Sequence, residues 1–74
     1  MNTEACKNLA NAIIITAAND YRTALRRLKR NPNSEAAKRV ISKTERFFRS
    51  DWYEVLTDVD GEYLIRRIRE EVGV

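Results

Sequence analysis

The sequence predicts an all-helical fold in a single domain: a long antiparallel helical hairpin with a short third helix and a C-terminal fourth helix packed on it. Three observations carry that prediction. Two glycines and one proline in 74 residues leave few places for a helix to stop. The composition is rich in Ala, Leu, Arg, Lys and Glu, which lose little on entering a helix. Apolar residues recur at three- and four-residue steps, and no segment alternates apolar and polar long enough to argue a strand.

Helix one is predicted from about Thr3 to about Asn31. Asn2 or Thr3 can cap it, and Glu4 suits the positive end of its dipole. Cys6, Ala10, Ile13, Ile14, Ala17, Tyr21, Ala24, Leu25 and Leu28 share one face. Such a helix is roughly 40 Å long, and Arg26, Arg27, Lys29 and Arg30 fill its last turns. Asn31-Pro32-Asn33 is the clearest break, because the residue before a proline is pushed out of helix. Ser34 or Asn33 then caps helix two, about Ser34 to Arg49, whose apolar face is Ala36, Ala37, Val40, Ile41, Thr44, Phe47 and Phe48. The short connection makes the pair antiparallel.

Ser50 or Asp51 caps a third helix, about Asp51 to Thr57, with Trp52, Val55 and Leu56 on one side. After a turn, Asp60 caps helix four, or Thr57 and Asp60 form a capping box that starts it earlier. Leu64, Ile65, Ile68 and Val72 make its core stripe. The four-residue spacings Glu62–Arg66, Arg66–Glu70 and Arg67–Glu71 suit ion pairs, and Gly73 suits a C-terminal cap.

A chain this short buries a thin core and usually adds a disulfide, a metal or a second copy. One cysteine and no histidine leave helix packing or self-association as the source of stability. The lone cysteine suits a reducing cytoplasm, the expected compartment. No stretch approaches a membrane span, and the apolar run Ala12 to Ile15 is too short for a signal-peptide core.

Without histidine, the commonest general base and the Ser–His and Cys–His nucleophile pairs are missing. Cys6 falls on the core face and reads as a small buried hydrophobe. Glu54, Asp58, Asp60 and Glu62 form the one acidic cluster. Asp58 to Gly61 shares a fragment of a calcium loop, but the remaining ligand spacing is missing, so the segment reads as a turn plus a helix cap. No glycine-rich phosphate loop occurs. The expectation is therefore a protein that is not an enzyme and takes no cofactor or metal.

The net charge of +3 hides an asymmetry: −1 over residues 1–20, +8 over 21–50 and −4 over 51–74. Arg26, Lys29, Arg30, Lys38, Arg39 and Arg46 are the candidate nucleic-acid contacts, if the cationic faces of helices one and two merge. The acidic third helix is a poor recognition helix, and Phe47, Phe48 and Trp52 are assigned to the core rather than to a stacking platform. The acidic C-terminal segment can also pair with the basic middle inside one molecule.

A second surface is neutral. Asn11, Ile15, Asn19 and Arg22 lie together on the polar side of helix one, on a face of amides and small residues that suits close approach of a partner helix or a second copy. These four are the candidate protein interface.

Residues 10–32, ANAIIITAANDYRTALRRLKRNP, and residues 45–65, ERFFRSDWYEVLTDVDGEYLI, resemble small helical proteins of Gram-positive prophages and mobile elements. That family has no established activity to carry over. The resemblance implies a phage-type accessory protein that binds a host or phage protein in the cytoplasm, as do inhibitors of host defence such as those acting on CRISPR nucleases. It assigns no role to any residue. The leading expectation is a protein-binding accessory module; a basic nucleic-acid-binding accessory protein is the second, and a homodimer pairing through helix one the third.

Overall fold

The computed structural model describes residues 3–74, with side chains from Asn8 onward. Its elements are α1 (Thr3–Arg30), α2 (Glu35–Phe48), α3 (Asp51–Leu56) and α4 (Gly61–Val72), with no strand among the described residues. The expected all-helical hairpin with two further helices packed on it is therefore the fold. The expected burial of Cys6, the cap at Asn2 or Thr3 and the dipole contact of Glu4 lie outside the described side chains.

Each boundary has a local cause. The turn after α1 closes on Asn31, whose side-chain oxygen accepts from the Asn33 amide at 3.2 Å and whose carbonyl accepts from the Ser34 amide at 3.1 Å. Ser34 stands outside α2 as its N-cap, with its hydroxyl accepting from the Ala37 amide at 3.2 Å. Ser50 does the same for α3 by accepting from Tyr53 N–H at 3.2 Å. Asp60 caps α4 through the Glu62 amide at 3.1 Å, while Thr57 closes α3, so α4 does not start early. Gly73 ends α4 in the left-handed region at φ 88°.

The hairpin of α1 and α2 carries the core, and α4 packs against both helices. Tyr21, Leu25, Phe48 and Tyr53 are the largest fully buried side chains, joined by Ile41, Ile65, Ile68 and Val72. Phe47, Phe48 and Tyr53 meet at ring-centroid distances of 5.5–5.8 Å, and Tyr21 packs edge-on against Phe48. Such pairs add roughly 0.5–1.5 kcal/mol each beyond their buried area.

Two expectations are corrected. Trp52 and Val55 are not core residues: they are 56% and 76% exposed, and Tyr53 is the side chain of α3 that enters the core. The cap at Ser50 sets the rotation of this six-residue helix so that Tyr53 meets Phe47 and Phe48, leaving Leu56 half-buried. On α2, Ala36 is exposed and Val40 stands at the edge of the core, because the apolar face is wider than the strip α1 and α4 cover.

The ion pairs within α4 are also redistributed. Of its acids, Glu62 pairs with Arg49 and Glu71 with Arg22, so both reach across to other helices. Glu70 takes Arg67 at 3.7 Å, and Arg66 lies over the Tyr63 ring. The acidic C-terminal segment thus neutralises part of the basic middle inside one molecule.

Tyr53 carries a buried hydroxyl with no hydrogen-bond partner. Burial, with the charge of Asp60, raises its pKa. Replacing Tyr53 by Phe removes the orphan oxygen and keeps the ring, so the Tyr53→Phe variant is expected to be as stable as the parent or more stable by up to about 1 kcal/mol. Urea unfolding monitored by circular dichroism measures this directly.

Candidate functional site

Besides an open concavity of about 440 Å³ along the second half of α2, lined by Ser42, Glu45, Arg46, Arg49 and Ser50, the described surface offers two further concavities and one helix face. The larger concavity, of about 620 Å³, is a groove lined only by α1 and α2. Its floor is apolar: Ile13, Ala17 and Ala24 from one helix, Ala37, Val40 and Phe47 from the other. Val40 is 37% exposed there. Asp20, Arg27 and Lys43 stand on its rims, exposed and without an ion pair among the described residues.

The second concavity, of about 400 Å³, lies between α3 and the start of α4 and gathers Glu54, Asp58, Asp60 and Glu62 beside Tyr53. Asp60 is used as a cap and Glu62 as a partner of Arg49. Among the described residues no group of three His, Cys, Asp or Glu side chains is placed to hold a metal ion.

The candidate protein interface is partly assembled. Asn11, Ile15 and Asn19 are exposed along α1, with Ile15 at 58%. Arg22, placed on the same face by spacing, is half-buried: it bonds the Asn19 side-chain oxygen at 2.8 Å and pairs with Glu71 of α4. Arg22 therefore anchors α4 at the edge of this face. Asn8, Leu9, Asn11 and Ala12 are exposed as well, with Leu9 at 65%, so the first described turns of α1 carry little cover from other helices.

The candidate nucleic-acid residues divide. Lys29 donates to the Val72 carbonyl at 3.0 Å and closes the end of α4, and Lys38 faces Glu35 at 3.5 Å. Arg26, Arg30, Arg39 and Arg46 are exposed and make no ion pair among the described residues. The two cations brought to one groove, Arg27 and Lys43, were outside the candidate set. Their spacing on the individual helices carries no sign of it, because the groove exists only once the hairpin has closed.

A polar cluster also escaped the reading of the sequence. Glu45 of α2 accepts from the Tyr21 hydroxyl at 2.6 Å and from Arg69 of α4 at 2.9 Å, and Arg69 Nε donates to the same hydroxyl at 2.9 Å. Burial pushes the Glu45 carboxyl up, but these two hydrogen bonds and the charges of Arg69 and Arg49 outweigh it and hold the group below its ordinary value. Burial first, then the carboxylate beside it, pushes the Tyr21 phenol up to about 12. The cluster ties three helices together; Glu45 borders the concavity with Arg46 and Arg49, but its oxygens are taken by Tyr21, Arg69 and Arg49, so its role is architectural.

Compared with known protein families, curated proteins and solved structures, the chain gives no significant match. No helix among the described residues is long and apolar enough to cross a membrane.

Proposed function

We propose that this chain is a non-enzymatic protein-binding module, an accessory protein of phage or mobile-element type that covers a surface on a host or phage protein, with inhibition of a host defence nuclease as one form of that activity. The observation that carries the reading is the exposed face of α1. Ile15 stands open between Asn11 and Asn19, and Arg22 holds α4 beside them. An apolar side chain ringed by amides on a rigid helix suits a small interface in which one buried anchor is framed by hydrogen-bonding groups. The resemblance to small proteins of Gram-positive prophages supports the context.

Affinity capture from bacterial lysate, run with and without nuclease and read by mass spectrometry, tests the proposal. The expected result is one enriched protein that survives nuclease. Ile15 is exposed, so the Ile15→Arg variant should keep its stability within about 0.5 kcal/mol while losing that partner. Retention of the partner by a folded Ile15→Arg variant would remove this face from the interface.

A second reading, nucleic-acid binding, draws on the four exposed arginines Arg26, Arg30, Arg39 and Arg46. It requires affinity that falls steeply between ~50 and ~200 mM salt. Binding that holds level across that range would exclude it.

A further inference from the structure

We infer that the groove between α1 and α2 is a self-association surface, closed by the same groove of a second copy of this chain. Neither α3 nor α4 contributes a residue to it. One side of the hairpin is thus left with an apolar floor, including Val40 and the half-buried Ile13 and Phe47. A domain of this size gains markedly from covering such a face.

The charges on the rims select the occupant. Tyr21 hydrogen-bonds Glu45 across the hairpin. Asp20 is the residue before Tyr21 and Lys43 lies two before Glu45; in an antiparallel pair these steps add, so the two stand about 4.5 Å apart in height on opposite rims, less than one helical turn. Both are exposed, and they make no ion pair with each other. A uniformly acidic partner helix would meet Asp20, and a uniformly basic one would meet Arg27 and Lys43.

A second copy, turned about a two-fold axis parallel to the helices, meets neither conflict. That operation lays α1 of one protomer over α2 of its partner and keeps heights unchanged. Each Asp20 then lies within one helical turn of a Lys43 of the other copy, a gap the long lysine side chain spans, twice by symmetry. Each Val40 then lies over the α1 side of the partner's groove, where Ala24 and the aliphatic stem of Arg27 flank it. The product is a four-helix arrangement of two hairpins in which every neighbouring pair is antiparallel.

This surface is independent of the face in the proposed function. At 3.6 residues per turn, Asn11, Ile15, Asn19 and Arg22 point roughly 115° around α1 from Thr16, Asp20, Thr23 and Arg27. A dimer closed through the groove would therefore display two copies of the Ile15 face.

Sedimentation equilibrium on the full chain tests the inference. The expected result is a species of twice the 8.6 kDa chain mass at micromolar concentration. Val40→Lys, which buries a charge at the centre of the interface twice, should weaken the dimer at least a hundredfold while leaving the far-ultraviolet helix signal unchanged. Asp20→Lys should weaken it about tenfold through its two ion pairs. The exchange Asp20→Lys with Lys43→Asp should restore it, and this arm stands even where Val40→Lys proves unstable. Ile15→Arg should leave the mass unchanged, so failure of the dimer and failure of the Ile15 interface are read separately. A parent that stays monomeric at ~100 μM overturns the inference, and so does a dimer indifferent to Asp20→Lys and Val40→Lys.

Discussion

Gly61→Ala is expected to be the most damaging single methyl group that can be added to this protein. Gly61 opens α4 and is buried, with the backbone of the last turn of α2 lying against it. A Cβ at this position would fall 1.9 Å from the Phe48 carbonyl oxygen and 2.9 Å from its carbon. Those atoms are backbone inside a helix that is itself locked by Phe48 in the core. No rotamer change relieves the overlap, so α4 must lift away from α2. Overpacking of a core costs typically 1–3 kcal/mol when side chains can yield, and a clash of backbone with Cβ sits at or above that limit, at roughly 3 kcal/mol. For a domain of this size that corresponds to a fall in melting temperature of roughly 12–24 °C, a large part of the ~4–11 kcal/mol that holds such a chain folded.

Gly73 supplies the contrast. Its constraint is the left-handed φ of 88°, and the atom nearest an added Cβ is the mobile end of Lys29 at 3.0 Å. Gly73→Ala should therefore cost only about 1 kcal/mol. Thermal melts of both variants check the ranking. A Gly61→Ala protein that melts within a few degrees of the parent would mean that α4 does not seat on the end of α2 as described.

The same residue shows where the sequence is legible. Asp60-Gly61 reads correctly as a cap and a helix start, because capping is decided by a side chain and amides two or three residues away. The need for glycine depends instead on Phe48, thirteen positions back, and no local pattern carries that. The long elements are readable for the same reason: fourteen or more residues of period 3.6 average out local ambiguity, and the break at Asn31-Pro32-Asn33 is imposed by proline chemistry.

α3 is too short for such averaging. In six residues the faces Trp52-Val55-Leu56 and Tyr53-Leu56 are nearly equivalent by pattern. The choice falls to Tyr53 because the Ser50 cap and the rings of Phe47 and Phe48 set the rotation. Charge pairs divide in the same way. Spacing of four proposes Glu62–Arg66 and Arg67–Glu71, whereas the folded chain pairs Glu62 with Arg49 and Glu71 with Arg22. An exposed pair within one helix is worth only a few tenths of a kcal/mol, so small differences in packing are enough to redirect it. The Ile15 face was legible because it belongs to one helix; the groove with Asp20, Arg27 and Lys43 was not, because it belongs to two.

The cluster of Tyr21, Glu45 and Arg69 carries the other large expected effect, one with a distinct pH signature. Glu45→Ala leaves the fully buried Tyr21 hydroxyl without its acceptor and Arg69 without its carboxylate. Arg69 keeps a side chain 40% exposed and recovers hydration, so its share of the loss is small. The stranded phenol dominates, for a total of roughly 1–3 kcal/mol, of which Glu45→Gln should recover part because an amide oxygen still accepts.

The folded-state pKa of Glu45 lies below its ordinary value of 4.5. Its contribution is therefore present above that value and lost as pH falls through the folded-state value. Tyr21 works at the other end. Its pKa is raised from 10.0 to about 12, so the neutral phenol contributes fully below pH 10 and the contribution disappears as pH rises to about 12. Urea midpoints measured across pH should show stability falling on both limbs in the parent. Glu45→Ala should reduce the acid limb, leaving the part that Glu62 contributes, and Tyr21→Phe should reduce the alkaline one, leaving the part that the raised Tyr53 phenol contributes. The alkaline limb of the Glu45→Ala protein should also move toward pH 10, because the carboxylate that helps raise the phenol has gone, although burial still holds it partly up. A Glu45→Ala protein with the parent's acid limb would place the acid-sensitive carboxylate elsewhere and reduce this cluster to packing alone.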